Sequence, residues 1–220
     1  MKPLPPGGTI GVAAPASPYA SRSEVLRGVE WWEAQGYKVK LGTNVYARDD
    51  YVAGDARGRA DDLNALFADP DVDVVQALQG GYGSAQTIPH LDFHAIAANP
   101  KPLVGYSDIT ALHVAVHSRT GLPTVYGNGL MGVNSGETTD FTRERLLAVL
   151  RNEALGEVPN AVMQATVGRG LSHNEFARIA EATGQAVSWT ALLSGQPKQD
   201  YREELRKAAE IQARGLRVFP

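Results

Sequence analysis

The sequence predicts an α/β fold built on an open, mainly parallel, flavodoxin-like sheet with flanking helices, followed by a short additional α/β segment. Three observations predict it. Short β-rich runs alternate with helical patterns along the chain, the signature of βαβ units around a parallel sheet. Asp71–Leu78 reads as a buried central strand, whereas Tyr37–Leu41 alternates as an outer one. Two of these runs pass straight into turns, Gly80-Gly81-Tyr82-Gly83 and Gly105-Tyr106-Ser107-Asp108-Ile109-Thr110. Parallel sheets carry their chemistry at such places, beyond the carboxyl ends of the strands.

In order, Thr9–Ala14 is a first strand, ended by Pro15 and Pro18. Ser21 or Ser23 can cap a helix that runs to about Gln35, with Val25, Leu26, Val29 and Trp32 on its apolar side. Gly36 stops it, and the alternating strand follows. A long loop over Thr43–Asp55 leads to a helix from about Arg57 to Ala68, ahead of the central strand. Pro102–Gly105 is a short strand, with a helix from Asp108 to about Arg119 after it. Thr124–Tyr126 is a further strand, and Phe141–Arg151 a helix. Beyond Gly156 the pattern shifts to a Gly-bearing loop and then four more elements. These are a helix over Ser172–Thr183, a strand over Ala186–Thr190, a helix over Gln199–Arg214 and a last strand over Leu216–Phe219. The expected division is therefore a first domain over residues 1–158 and a second segment over 159–220 that looks cut short.

Composition narrows the function. Hydrophobic residues make up 43% and charged residues 20% of the 220, ordinary for a globular chain able to bury a core. A net charge of −3 offers no basic field for nucleic acid or an anionic membrane. The lack of cysteine removes disulfides, thiolate zinc sites and a Cys nucleophile, and suits a cytoplasmic protein. Met1–Gly8 carries a Lys and a Pro/Gly cluster with no apolar signal-peptide region, and no apolar run approaches the ~18 residues of a membrane span.

The chemistry centres on Ser107. A serine on a sharp strand-to-helix turn presents an exposed hydroxyl, and the Asp108 amide at the helix start points toward a developing oxyanion. The Gly80-Gly81 stretch at the neighbouring strand end can bring a second backbone N–H to the same point. Ser is also a common N-cap, and Gly-x-Ser-Asp lacks the last glycine of the hydrolase elbow, so a purely structural helix start is the competing reading. Nucleotide binding through Gly80–Gly83 is a minor alternative, because Gly81-x-Gly83 lacks the third glycine.

Longer stretches carry a resemblance. Ala60–Pro70, then Gly80–Gly83, then Asn99–His113 resemble the LD-carboxypeptidase family, serine peptidase family S66, over residues 5–155. Gly11–Ser17 and Tyr51–Gly54 match in kind and order. The resemblance implies a serine carboxypeptidase that cleaves an L-to-D peptide bond and releases D-alanine from a murein tetrapeptide in the cytoplasm, with no cofactor. It implies Ser107 as nucleophile, the Gly81 and Asp108 amides as oxyanion donors, and Gly80 and Tyr82 as substrate-binding positions. Some relatives process peptide-nucleotide antibiotics instead, and a homodimer would be family-like.

The chain departs from the family at several points. Gln79 stands where the family usually has Arg, so it brings no charge to a substrate carboxylate. Tyr126-Gly127-Asn128 replaces a usual His-Gly-Pro. The family takes its Glu and its base His from a second domain, and His90, His94, His113, His117 and His173 are each poor substitutes. His113 and His117 are read as solvated helix-face residues pointing away from the elbow. Their spacing suits a metal, but Val114 occupies the place of the zincin Glu and no metal site is expected. His90 and His94 read as surface or capping residues in a loop-to-helix segment, and His173 as a first-turn residue. Residues 164–220 resemble a fragment of an N-acyl-D-amino-acid deacylase of the amidohydrolase class, with no functional position carried over. Two other functions therefore stand beside the serine peptidase: a non-catalytic peptide-binding remnant, and a metal-dependent D-aminoacyl amidohydrolase.

Overall fold

Valine, isoleucine and small residues concentrate in the strands because those strands are covered on both faces. The computed structural model describes residues 2–136 and 138–155. Strands β1 (Thr9–Ala13), β2 (Lys38–Leu41), β3 (Val74–Ala77), β4 (Leu103–Gly105) and β5 (Val125–Tyr126) form one sheet in the order β2-β1-β3-β4-β5. Every pairing is parallel. This is the flavodoxin-like order, whose switch point lies between β1 and β3. β3 is buried at every position, while the edge strand β2 alternates between exposed and half-buried.

Helices α1 (Arg22–Ala34), α5 (Leu130–Val133) and α6 (Asp140–Arg151) cover one face. There Val25, Trp32, Leu130, Leu146 and Leu150 pack on Ile10, Val12, Val74 and Val104. Helices α2 (Ala56–Ala68), α3 (Phe93–Ala98) and α4 (Thr110–Thr120) cover the other. Leu63, Leu66, Phe67, Ile96, Leu112 and Val116 meet Ala13, Val75, Ala77 and Leu103 on that side. Ser21 caps α1 by accepting from the Glu24 amide at 3.3 Å, and Asp55 caps α2 through the Gly58 amide at 2.9 Å.

Several details differ from the sequence reading. Leu26 is 51% exposed and does not share the buried side of α1 with Val25 and Trp32. The central strand is confined to Val74–Ala77, because Asp69–Asp73 turns out of α2 and only then enters the sheet. The segment after Gly83 contains a 3-10 helix over Ser84–His90 before α3, and the short α5 was not foreseen. Among the described residues no helix is long and apolar enough to cross a membrane. The elements expected over Ser172–Thr183, Ala186–Thr190, Gln199–Arg214 and Leu216–Phe219 lie outside the described residues.

Gln76 joins three layers from the middle of β3. Its Oε1 accepts from Trp32 Nε1 at 2.8 Å, and its Nε2 donates to the Asn128 carbonyl at 2.8 Å. α1, β3 and the loop after β5 are thereby fixed to one another by a fully buried amide. Gln76→Leu keeps the volume but strands the indole N–H and a carbonyl. Each orphaned group costs about 1–3 kcal/mol, so urea unfolding should show a loss of roughly 2–6 kcal/mol. An unchanged midpoint would show that water replaces the amide without cost.

Candidate active site

Ser107 occupies a strained corner. β4 ends at Gly105, Tyr106 is extended, and Ser107 takes φ 59° before a 3-10 turn over Ser107–Ile109 leads into α4. Few non-glycine residues adopt this left-handed conformation, and at strand-to-helix corners it turns the side chain outward. Ser107 is exposed. Its corner is held by Ile109 N–H donating to the Tyr106 carbonyl at 3.1 Å and by Thr110 Oγ1 donating to the Ser107 carbonyl at 2.6 Å.

The glycine turn at the end of β3 lies directly against this corner. A Cβ on Gly80 would stand 2.9 Å from Ser107 Cβ, 2.9 Å from the Tyr106 carbonyl oxygen and 3.4 Å from the Asp108 nitrogen. Only a residue without a side chain lets the two main chains approach so closely. Gly81 has φ 104°, and a Cβ there would strike Ser17 Oγ at 2.2 Å. Ser17 braces the turn from β1, its amide donating to the Gly80 carbonyl at 3.2 Å and its hydroxyl accepting from Tyr82 N–H at 3.1 Å. On the other side, Asp108 Oδ2 accepts from Ser84 N–H at 2.8 Å while Ser84 Oγ donates to the Asp108 carbonyl at 2.7 Å. Among the described residues no acceptor takes the amide of Gly81 or of Asp108. Two uncommitted N–H groups beside an exposed serine can hold an oxyanion formed by attack of its hydroxyl on a carbonyl.

Arg59 organises the floor of the turn and was missed in the sequence. The guanidinium is almost wholly buried, with Nη1 donating to the carbonyls of Pro15 at 2.7 Å and Gly83 at 2.8 Å. Nη2 donates to Gln86 Oε1 at 2.7 Å, and Nε to the Gly54 carbonyl at 3.1 Å. Burial lowers its pKa, and the charges of Asp55 and Asp108 push the other way. The loops after β1, before α2 and after β3 are thus gathered on one cation. A signal existed: Arg59 shares the helical face of Leu63 and Leu66, where an arginine needs fixed acceptors.

A family profile for the LD-carboxypeptidase N-terminal domain, peptidase family S66, matches residues 10–127. The chain belongs to this family. Escherichia coli microcin C7 self-immunity protein MccF is 35% identical over 159 residues, 70% of this chain and 46% of that protein. Pseudomonas aeruginosa murein tetrapeptide carboxypeptidase is 42% identical over 125 residues, 56% of this chain and 40% of that enzyme. The structure of MccF in complex with aspartyl sulfamoyl adenosine matches with TM-score 0.67 at 33% identity, covering 72% of this chain and 50% of that one. The chain thus spans half or less of these relatives' lengths. These comparisons do not support the deacylase resemblance of residues 164–220, which lie outside the described residues.

With the S66 domain established, the histidines can be placed. His113 is a correction to the sequence reading: it is 8% exposed, not a solvated helix-face residue. Its Nε2 stands 3.0 Å from the Gly105 carbonyl, which assigns the proton to Nε2, and its buried Nδ1 has no partner among the described residues. His113 therefore ties α4 to the end of β4 beneath the elbow. His117 is exposed and lies 3.1 Å, through Nδ1, from the Leu122 carbonyl. His90 and His94 are exposed, and His173 lies outside the described residues. Among the described residues no hydrogen bond reaches the Ser107 hydroxyl. No cluster of three potential metal ligands occurs among them either. Gln79 donates through Nε2 to the Pro18 carbonyl and serves the loop after β1. Tyr82 is 70% exposed and meets Tyr51 edge to face at 6.4 Å.

Burial lowers the His113 pKa below its ordinary 6.5, and the bond to Gly105 opposes this only in part. The unfolded chain therefore takes up this proton more readily than the folded one. The contribution to stability is full above about pH 6.5 and is lost as pH falls toward the folded-state value. Wild-type chain should lose more unfolding free energy between pH 7.5 and pH 5 than His113→Gln does. Equal losses would mean that His113 titrates alike in both states.

Proposed function

We propose that this chain carries the nucleophile half of a serine LD-carboxypeptidase, with Ser107 attacking the carbonyl of an L-to-D peptide bond in a murein-type peptide. The observation that carries this reading is the left-handed Ser107 beside two uncommitted amides, Gly81 and Asp108. In the step proposed, Ser107 Oγ bonds to the carbonyl carbon while a base accepts its proton. The carbonyl oxygen becomes an oxyanion held by the two N–H groups; collapse to the acyl-enzyme breaks the C–N bond, and the base returns its proton to the nitrogen as D-alanine leaves. Gly80 and Tyr82 line the approach for the peptide.

The base is the weak part of the described unit, because no histidine within it stands at Ser107. General-base assistance typically contributes ~10²–10⁴ in rate, and nucleophile and base act as a unit. We therefore expect the 220-residue chain to turn over far more slowly than the P. aeruginosa enzyme. A second substrate class is supported by the likeness to MccF solved with aspartyl sulfamoyl adenosine and glutamyl sulfamoyl guanosine, namely an aminoacyl nucleotide analogue.

The test is release of D-alanine from a murein tetrapeptide by the whole chain, with aspartyl sulfamoyl adenosine as the alternative substrate. The expected result is slow turnover, at least ~10²-fold below the P. aeruginosa enzyme, that Ser107→Ala abolishes. Turnover untouched by Ser107→Ala would overturn the nucleophile assignment. Full, Ser107-dependent turnover would show that this chain supplies its own base.

A further inference from the structure

The strained corner has one partner that the oxyanion geometry does not require. Ser107 N–H donates to Tyr126 Oη at 3.2 Å, across from β4 to β5, where Gly105 and Tyr126 are register partners. Tyr126 is 69% exposed, so core packing does not explain where its phenol sits. Its ring lies 6.1 Å from that of His113, whose Nε2 holds the Gly105 carbonyl. The same carbonyl accepts from Gly127 N–H at 2.9 Å.

We propose that Tyr126 is a positioning residue for Ser107, its phenol oxygen fixing the peptide plane from which the nucleophile projects. This rests on Ser107 being that nucleophile. The peptide between Tyr106 and Ser107 is clamped at both ends: its carbonyl accepts from Ile109 N–H, and its N–H is taken by Tyr126. With that plane fixed, the left-handed φ of Ser107 sets the direction of its Cα–Cβ bond, and relaxation of φ would have to move α4 or break a clamp. Engagement by Tyr126 also withdraws the Ser107 amide from oxyanion binding, which leaves that task to Gly81 and Asp108.

Tyr126→Phe keeps the exposed ring and removes the acceptor. Two readouts on the whole chain separate positioning from general structure. Amide hydrogen exchange followed by NMR should quicken at Ser107 and stay unchanged at Val75 and Val104, which report the intact sheet. Inactivation by a D-alanine-mimicking peptide phosphonate, read as phosphonyl-Ser107 by mass spectrometry, should show a maximal rate reduced roughly three- to tenfold at the same half-saturating concentration. Unchanged exchange at Ser107, or equal maximal rates in the two proteins, overturns the positioning role alone. Failure of the wild-type chain to label at Ser107 overturns the nucleophile assignment, and this proposal with it.

Discussion

The approach of the Gly80 main chain to the Ser107 corner is the constraint on which this end of the sheet depends. A Cβ at Gly80 would fall inside contact distance of Ser107, Tyr106 and nearly of Asp108, so β3 and β4 can meet there only through bare backbone. That contact sets the turn after β3 directly against the exposed serine at the end of β4. Around it the polar groups act as braces. Ser17 holds the turn from β1, the Ser84–Asp108 pair holds it to the start of α4, and Arg59 collects the carbonyls beneath. Each brace satisfies a group that the irregular turn would otherwise leave without a partner.

The interior supports the corner in the same way. Gln76, two residues before Leu78, is bonded to α1 and to the loop after β5, so the elements on the α1 face are tied to the strand that leads into the glycine turn. His113 bonds the last residue of β4 from below. Strain at Ser107 persists because hydrogen bonds on several elements hold it. A left-handed serine in an unsupported loop would relax.

Much of this was legible in the sequence, for definable reasons. The strands were found because buried parallel strands concentrate β-branched and small residues, and α1 and α6 because their apolar residues recur at helical spacing. The corner at Ser107 was visible because a strand running into Ser-Asp and a helical pattern leaves little room for another turn. The braces were much less legible. Arg59, Ser84, His113 and Tyr126 act through partners 24, 24, 8 and 19 residues away, at Gly83, Asp108, Gly105 and Ser107, and local periodicity carries no information on such pairings. His113 misled for a related reason. A histidine four residues from an exposed His117 reads as one solvated face, yet the ring turns inward to the Gly105 carbonyl, which also accepts from Gly127 N–H. Leu26 failed in the opposite direction, an apolar residue that the sheet does not reach.

The described unit holds an exposed serine at a strained corner against a glycine turn, both built from backbone and therefore tolerant of change in surrounding side chains. Proton transfer and recognition of a substrate carboxylate depend on side chains, and here Gln79 is turned to the Pro18 carbonyl while no described histidine stands at Ser107. The direct measurement is a crystal structure of the chain carrying a peptide phosphonate adduct. The account predicts phosphorus on Ser107 Oγ, with one phosphonyl oxygen about 2.7–3.1 Å from both the Gly81 and Asp108 nitrogens. An adduct on another serine, or a phosphonyl oxygen directed to solvent away from both amides, would contradict it.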